Sequence, residues 1–363
     1  MPHLHTPLCD TLGLRLPIIQ APMAGGATTP ALVAAVSGAG ALGSFGFAYT
    51  QPETMQRDCE AVRAQTGAPF NINLFVSSVP PTIPADTQGG AIDALAGYYA
   101  ELGLPPPAPV KPPYAPDLDA QLSVVEEVRP AVLTYHLGQL PAGRIRSLQA
   151  AGIRVGGSAT CVAEAEQLEA LGVDFIVAQG AEAGGHRGSY LRDPYDAMTG
   201  TFALVRLIAR KVRTPVVAAG GIMDGAGIAA ALALGAQAVQ MGTAFLPCTE
   251  CGIAPAYKAR LLAAREDETR ITEKFSGKPA RGLANRFVRE MAARDAPQLA
   301  FPAQNLLTGP LRAAAAKAGN MDFVSMWCGQ AVALSRALPA TALVAALEAE
   351  TLECLERLAA LRV

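Results

Sequence analysis

The residues of this chain best suited to chemistry are mostly neutral. Residues 179–188, QGAEAGGHRG, set His186 among glycines on what reads as an open loop. An imidazole there is accessible, and with an ordinary pKa near 6.5 it exchanges protons at neutral pH. Two more glycine runs stand out: AGGIMDG at 219–225 and QMGTA at 240–244. Bare glycines let backbone N–H groups approach an anion, and a nearby helix N-terminus adds partial positive charge. Gly221, with Gln240, Met241, Gly242 and Thr243, is therefore a candidate phosphate holder that needs no lysine, although Gly220–Gly221 alone also fits a tight turn. Asn73 and Gln179 carry amides, which donate and accept and so suit the edge of a flavin pyrimidine or a base; they equally suit loop backbone groups. His136 closes the run AVLTYH and is either a pocket residue or a structural one. His3 and His5 belong to the terminal segment and add little. Trp327 reads as core.

Other chemistries lack their residues. There is no carboxylate pair for glycoside hydrolysis, no strand-end lysine for a Schiff base, and no His/Asp/Glu cluster for a metal hydrolase. Cys248 and Cys251 form a lone CxxC without the second ligand pair of a zinc site, so no metal is expected. Seven cysteines, an odd number widely spread, disfavour a disulfide framework and fit a reducing cytoplasm.

Loops so far apart in sequence need a scaffold that gathers them. The chain alternates short apolar runs with amphipathic segments. Strands are predicted at 16–23, 41–47, 70–76, 131–136, 154–159, 174–179, 215–219 and 238–242. Helices are predicted at 28–39, 53–65, 118–128, 142–150, 161–171, 202–211 and 226–234, the first capped by Thr28 or Thr29 with Pro30 in its first turn. Such alternation implies parallel strands, and eight units closing on themselves make a (β/α)8 TIM barrel, an α/β fold. An open doubly wound sheet is weakened by the lack of G-x-G-x-x-G after the first strand. Barrel active sites lie at the C-terminal strand ends, with phosphate commonly held after strands seven and eight. The glycine runs fall at those two positions.

Residues 77–116 are proline-rich around a predicted helix at 91–102, and read as an insertion after strand three, either a rigid connection or an active-site lid. The barrel is expected to occupy residues 1–247. Residues 248–363 are expected to be a helical region, with helices at 253–264, 280–293 and 340–361, packing on the barrel or on another subunit. Self-association is left open.

Composition agrees. Of 363 residues, 51% are hydrophobic and 17% charged, which excludes general disorder. A net charge of −2 and the lack of any Lys/Arg cluster exclude a nucleic-acid footprint. The start shows no basic segment followed by an apolar core, and the uncharged stretch 17–52 is broken by Gly, Ser, Thr and Pro, so neither a leader nor a membrane span is expected.

Taken together, PIIQAPM at 17–23, FNINLF at 70–75, QGAEAGGHRG at 179–188, AAGGIMDG at 218–225, QMGTAFL at 240–246 and GKPARGLANRFVREM at 277–291 resemble the nitronate monooxygenase family, once called 2-nitropropane dioxygenases. The resemblance implies a barrel holding FMN without a metal. It implies oxidation of small-molecule alkyl nitronates, such as the toxic propionate 3-nitronate, by a one-electron step through a flavin semiquinone, with O₂ completing turnover. It places Ala21, Pro22 and Met23 beside the isoalloxazine, Asn73 and Gln179 at the ring or ribityl region, and Gly184, Gly221 and 240–243 along the ribityl chain and phosphate. His186 matches the family's active-site histidine, bonding the nitro group of a nitronate or acting as base on a nitroalkane. A helix N-terminus is one candidate counter-charge for reduced flavin, and Arg187 or Lys278 swinging in is another. The EAGGH piece is shared with bacterial flavin-dependent enoyl-ACP reductases, so an FMN-dependent NAD(P)H reductase acting on enoyl-ACP or quinone is the alternative. A non-catalytic flavin-binding module is the third reading.

Overall fold

Short apolar runs bounded by Pro and Gly can only be brief strands. In a computed structural model of the chain, which describes residues 4–76, 81–294 and 296–361, all eight expected strands form. They are β1 (Ile18–Gln20), β2 (Gly43–Gly46), β3 (Phe70–Phe75), β4 (Val132–His136), β5 (Arg154–Ala159), β6 (Phe175–Gln179), β8 (Val216–Ala219) and β9 (Ala238–Met241), while a short strand β7 (Gly185–His186) lies outside the barrel. Their order is β1-β9-β8-β6-β5-β4-β3-β2, with every pairing parallel. A bridge from Ile19 to Leu42 closes the ring, through Gln20 N to Leu42 O and Leu42 N to Ile18 O, each 2.9 Å. The fold is the expected (β/α)8 barrel. β1 is shorter than the predicted 16–23 run; Pro17 and Pro22, which cannot donate to a ladder, bracket it.

Helices fill the crossovers: α2 (Pro30–Gly38), α3 (Pro52–Arg63), α4 (Ala85–Glu101), α5 (Leu118–Val128), α6 (Ala142–Ala150), α7 (Val162–Leu171), α8 (Thr201–Ala209) and α9 (Gly225–Ala233). Thr29 caps α2 by accepting from Leu32 N, as its type and place predicted.

An unpredicted helix, α1 (Pro7–Leu12), seals the N-terminal end of the barrel. Its Thr6 N-cap donates to Gln237 O at 2.6 Å, just before β9. Leu8, Cys9 and Leu12 then pack with Ile19, Val132, Phe175, Val177 and Val217 in the lumen. Gly156 is glycine because Phe175 occupies the space: a Cβ there would lie 2.4 Å from the ring.

The C-terminal region departs from expectation in two ways. It is largely helical, with α10 (Pro255–Leu262), α11 (Arg286–Ala292), α12 (Ala303–Leu307), α13 (Gly309–Lys317) and α14 (Ala340–Ala359), but it also contains strands β10 (Thr269–Thr272) and β11 (Ala280–Leu283). The helix predicted at 280–293 therefore begins as strand over Ala280–Leu283: Ala280 and Arg281 pair with His186 and Gly185 of β7 in a three-stranded antiparallel sheet. Second, α14 packs against both α9 and α2, the seat of a barrel's eighth helix. Gly225 permits this approach, since a Cβ would sit 2.3 Å from the Glu350 carbonyl carbon. The chain leaves the barrel after β9 and returns to complete it.

The described part of the proline-rich insertion is anchored to the rest of the chain, as a rigid connection would be. Its first residues, 77–80, lie outside the described residues. α4 starts six residues earlier than predicted and is pinned to the C-terminal region: Tyr98 Oη donates to Glu290 at 2.9 Å and Tyr99 Oη to Leu307 O at 2.6 Å.

Leu8→Ala tests the seal. Removing this fully buried side chain should cost about 2–5 kcal/mol in urea unfolding; a loss below about 1 kcal/mol would show that α1 does not plug the lumen.

Candidate active site

At the C-terminal mouth of the barrel lies a cavity of about 730 Å³. All the predicted site residues except the counter-charge candidates Arg187 and Lys278 border it: Ala21, Pro22 and Met23 after β1, Asn73 on β3, Gln179 on β6, Gly184 and His186 on the following loop, Gly221 after β8, and Gln240, Met241, Gly242 and Thr243 at β9. The loop after β1 can reach the mouth because Gly46 has no side chain; a Cβ there would meet Met23 and Ala24 backbone at 2.6–2.8 Å. Ala21 N donates to Met241 O at 2.9 Å, joining the first and last strand-end loops.

The glycine end is backbone. Gly220 (φ +115°) and Gly221 (φ +73°) are left-handed, a conformation that strains other residues, and a Gly220 Cβ would lie 2.9 Å from Ala183 N. The nearby Glu182 carboxylate is engaged by Thr201 N and Oγ1 at the start of α8, at 2.7–2.9 Å. Thr243 Oγ1 accepts from Gly329 N at 2.9 Å, which leaves its hydrogen to donate.

The two amides part company. Asn73 Nδ2 donates to Thr134 Oγ1 at 2.9 Å, within a buried network of Asn71, Ser44 and Thr134, and its Oδ1 has no protein partner among the described residues. Gln179 is taken up by the loop: Nε2 donates to His186 O at 2.9 Å, and Oε1 accepts from Gly188 N at 2.8 Å and from Arg187.

At the other end stands His186, among the rings of Phe75, Phe301 and Trp327 at 5.9, 5.5 and 5.7 Å. Its Nε2 lies 2.9 Å from Ser276 Oγ, and that hydroxyl donates to Lys278 O at 3.1 Å. The hydroxyl hydrogen is thus committed, so Nε2 carries the imidazole hydrogen and Nδ1 keeps a lone pair. Burial, then the charges of His136, Lys278 and Arg312, push its pKa down to about 3. His136 also lines the cavity, but both its nitrogens are occupied: Nδ1 with Ser158 Oγ at 2.8 Å and Nε2 with His186 O at 3.2 Å. Its pKa falls to about 4, chiefly by burial. His186 is half-buried and borders the same cavity.

Three expectations change. Arg187 is no mobile counter-charge: it is buried, and donates to Gln179 O, Gly180 O and Ala197 O at 3.1, 2.7 and 2.6 Å. Lys278 does not border the cavity. Trp327, read as core, forms cavity wall, as do Tyr49, Phe75 and Arg312, which sequence reasoning passed over. Phe75 was visible as the end of FNINLF. Arg312 gave no signal, for a cation on an alanine-rich helix ordinarily faces water. Among the described residues, none of the insertion reaches the cavity.

A family model described as nitronate monooxygenase matches residues 6–350. A nitronate monooxygenase of Paraburkholderia phytofirmans is 46% identical over 354 residues, 97% of this chain and 96% of that protein. Among solved structures, a nitroalkane oxidase from Streptomyces ansochromogenes matches with a TM-score of 0.88 and 39% identity, over 97% of this chain and 99% of that one. FabK from Thermotoga maritima matches with a TM-score of 0.77 and 31% identity, over 98% and 99%.

The two histidines make stability pH-dependent. Unfolded imidazoles take up protons near pH 6.5, whereas His136 and His186 in the fold resist until about 4 and about 3. Between those values the unfolded chain binds more protons, so acid destabilises, by up to about 1.4 kcal/mol per pH unit per histidine. The melting temperature should fall from pH 6.5 to 5, less steeply in His136→Gln. A flat profile over that interval would refute the buried neutral imidazoles.

Proposed function

This chain belongs to the nitronate monooxygenase family, and from that premise we propose that it is an FMN-dependent enzyme that oxidises alkyl nitronates, propionate 3-nitronate among them, with O₂ as acceptor. The observation that carries this reading is one cavity with a backbone-lined glycine cradle at one end and, at the other, the His186 imidazole bonded through Nε2 to Ser276. Gly221, Gly242 and Thr243 would take the phosphate, since the two glycines project no side chain of their own and Thr243 retains a donor. Gly184, Gln240 and Met241 would flank the ribityl chain, with Gln179 holding the wall behind it. Ala21, Pro22 and Met23 would lie beside the ring, and Asn73 Oδ1 would accept from a ring N–H. When bound, FMN supplies the electron-accepting ring for nitronate oxidation.

The protein's own contribution centres on His186. On a nitroalkane, the Nδ1 lone pair takes the α-proton, because Ser276 holds the hydrogen at Nε2. On a nitronate, the anion in a dry cavity favours a proton on Nδ1, which then donates to a nitro oxygen. His136 and Gln179 fix the loop by binding the His186 carbonyl from two sides. Phe75, Phe301 and Trp327 exclude water around the imidazole. The likeness to FabK supports a second reading, a reductase using the same cradle with NAD(P)H.

Anaerobic mixing with propionate 3-nitronate separates the two. The flavin absorbance should change on adding the nitronate and respond only slowly to NADH; the reverse pattern would establish the reductase. In His186→Ala the flavin content should persist while turnover falls by about 10²-fold or more, the usual worth of a general acid–base group. Unchanged turnover would remove the role given to His186. Gly221→Val should lose flavin on gel filtration, since a branched residue is strained at φ +73° and its Cβ meets Glu182 at 3.2 Å. Full flavin content in that variant would move the phosphate elsewhere.

A further inference from the structure

Behind the glycine cradle stand two polar side chains that do not border the cavity, Thr201 and Glu182. Thr201 opens α8, is buried, and sets its hydroxyl between two strand ends. A Cβ on Gly180, after β6, would lie 2.0 Å from Thr201 Oγ1, and one on Gly220, after β8, would lie 2.9 Å away. Both positions are bare because this hydroxyl occupies their space. Oγ1 lies 3.0 Å from Gly220 O and 2.8 Å from Glu182 Oε2, so its single hydrogen is shared between them as a three-centre bond.

The effect falls on the other edge of the same peptide. In a trans peptide the C=O of Gly220 and the N–H of Gly221 point in opposite directions. With the carbonyl drawn back to Thr201, the Gly221 N–H is turned away from α8. Gly221 and Ile222 both border the cavity, and the N–H of neither has a protein acceptor among the described residues. A backbone donor without a partner is costly where it is buried, as at Ile222. Successive donors of this kind, beside left-handed glycines, make a concavity that receives an anion.

Glu182 keeps Thr201 in place. Both of its carboxylate oxygens receive Thr201 N, at 2.9 and 2.7 Å, so its charge is directed at the first turn of α8. Its carbonyl receives Gln330 N at 2.9 Å, one residue after Gly329, whose N–H goes to Thr243 Oγ1. The stretch 329–330 thus ties the loop that carries Glu182 to the β9 half of the cradle.

We propose that Thr201 is the positioning residue of the cradle. Its hydroxyl, steadied by Glu182, aims the Gly221 N–H at a phosphate monoester, and so sets the preference for a phosphorylated flavin over an unphosphorylated one. This rests on the FMN reading above.

The test titrates the full-length protein, freed of flavin, with FMN and with riboflavin, which differ only in the phosphate. Flavin fluorescence reports both. The native protein should bind FMN at least about a hundredfold more tightly, as charge-assisted bonds to a phosphate warrant. Thr201→Val keeps the shape and the backbone bond to Glu182 but removes the hydroxyl. It should lower FMN affinity about tenfold and leave riboflavin within about twofold. Thr201→Ser restores the hydroxyl and should recover most of the loss. Glu182→Gln, which keeps one acceptor for Thr201 N, should narrow the preference less than Thr201→Val does. Should Thr201→Val disturb folding, Thr201→Ala against Thr201→Ser makes the same comparison. A hydroxyl-free variant with the native preference would overturn the role of Thr201. Equal loss of both flavins would overturn it too, and mark Thr201 as a packing residue only. A native protein that binds the two flavins alike would instead overturn the phosphate placement itself, so the two failures are told apart.

Discussion

An irregular loop buried at a barrel mouth has no water to satisfy its backbone, and the rest of this site depends on how that constraint is met between Gln179 and Gly188. The carbonyl of His186 receives both Gln179 Nε2 and His136 Nε2. The carbonyls of Gln179 and Gly180 receive the buried Arg187. The other side of the loop is met by β11 and by the stretch around Cys328, whose backbone approaches so closely that a Cβ on Gly184 would lie 2.5 Å away. Residues that look like catalytic candidates in the sequence are thus spent on backbone groups. What they achieve is a single orientation for His186, with its ring against three aromatics and its hydrogen directed to Ser276.

The parts legible in the sequence were those governed by neighbours a few residues away. Strand runs such as FIVAQ, the Thr29 cap, and glycine pairs that demand left-handed backbone are local statements, and the fold realises all of them. The errors arose where a distant partner decides. ARGLANRFVREM looks helical throughout, yet ARGL extends because β7 offers it an edge. PLCDTL is too short to announce a helix; α1 is stabilised by a lumen its own sequence does not reveal. Ser276 is an ordinary loop serine until the fold brings it to an imidazole ninety residues away. Arg312 stands on an ordinary surface-like helix, and only the tertiary arrangement turns it inward.

The division into barrel and C-terminal region is similarly a matter of contacts. The excursion after β9 supplies Arg312 and Trp327 to the cavity wall, and Ser276 and Phe301 to the surroundings of His186. The barrel proper supplies the cradle. The cavity wall is therefore assembled from separate stretches of one chain, on a scaffold similar to those of the nitroalkane oxidase and FabK structures.

The return of α14 to the gap between α2 and α9 has a consequence for biogenesis. During synthesis the first helix of the ring emerges roughly three hundred residues before its last neighbour. Until then, the buried faces of α2 and α9 remain uncovered, with Leu32, Val33, Val36 and Ile228 among the side chains left without Leu343, Val344 and Leu347. Such long-separation contacts slow folding and leave apolar surface open to aggregation while the ribosome works. A chain ending before residue 340 would lack the helix that closes the seam between α2 and α9.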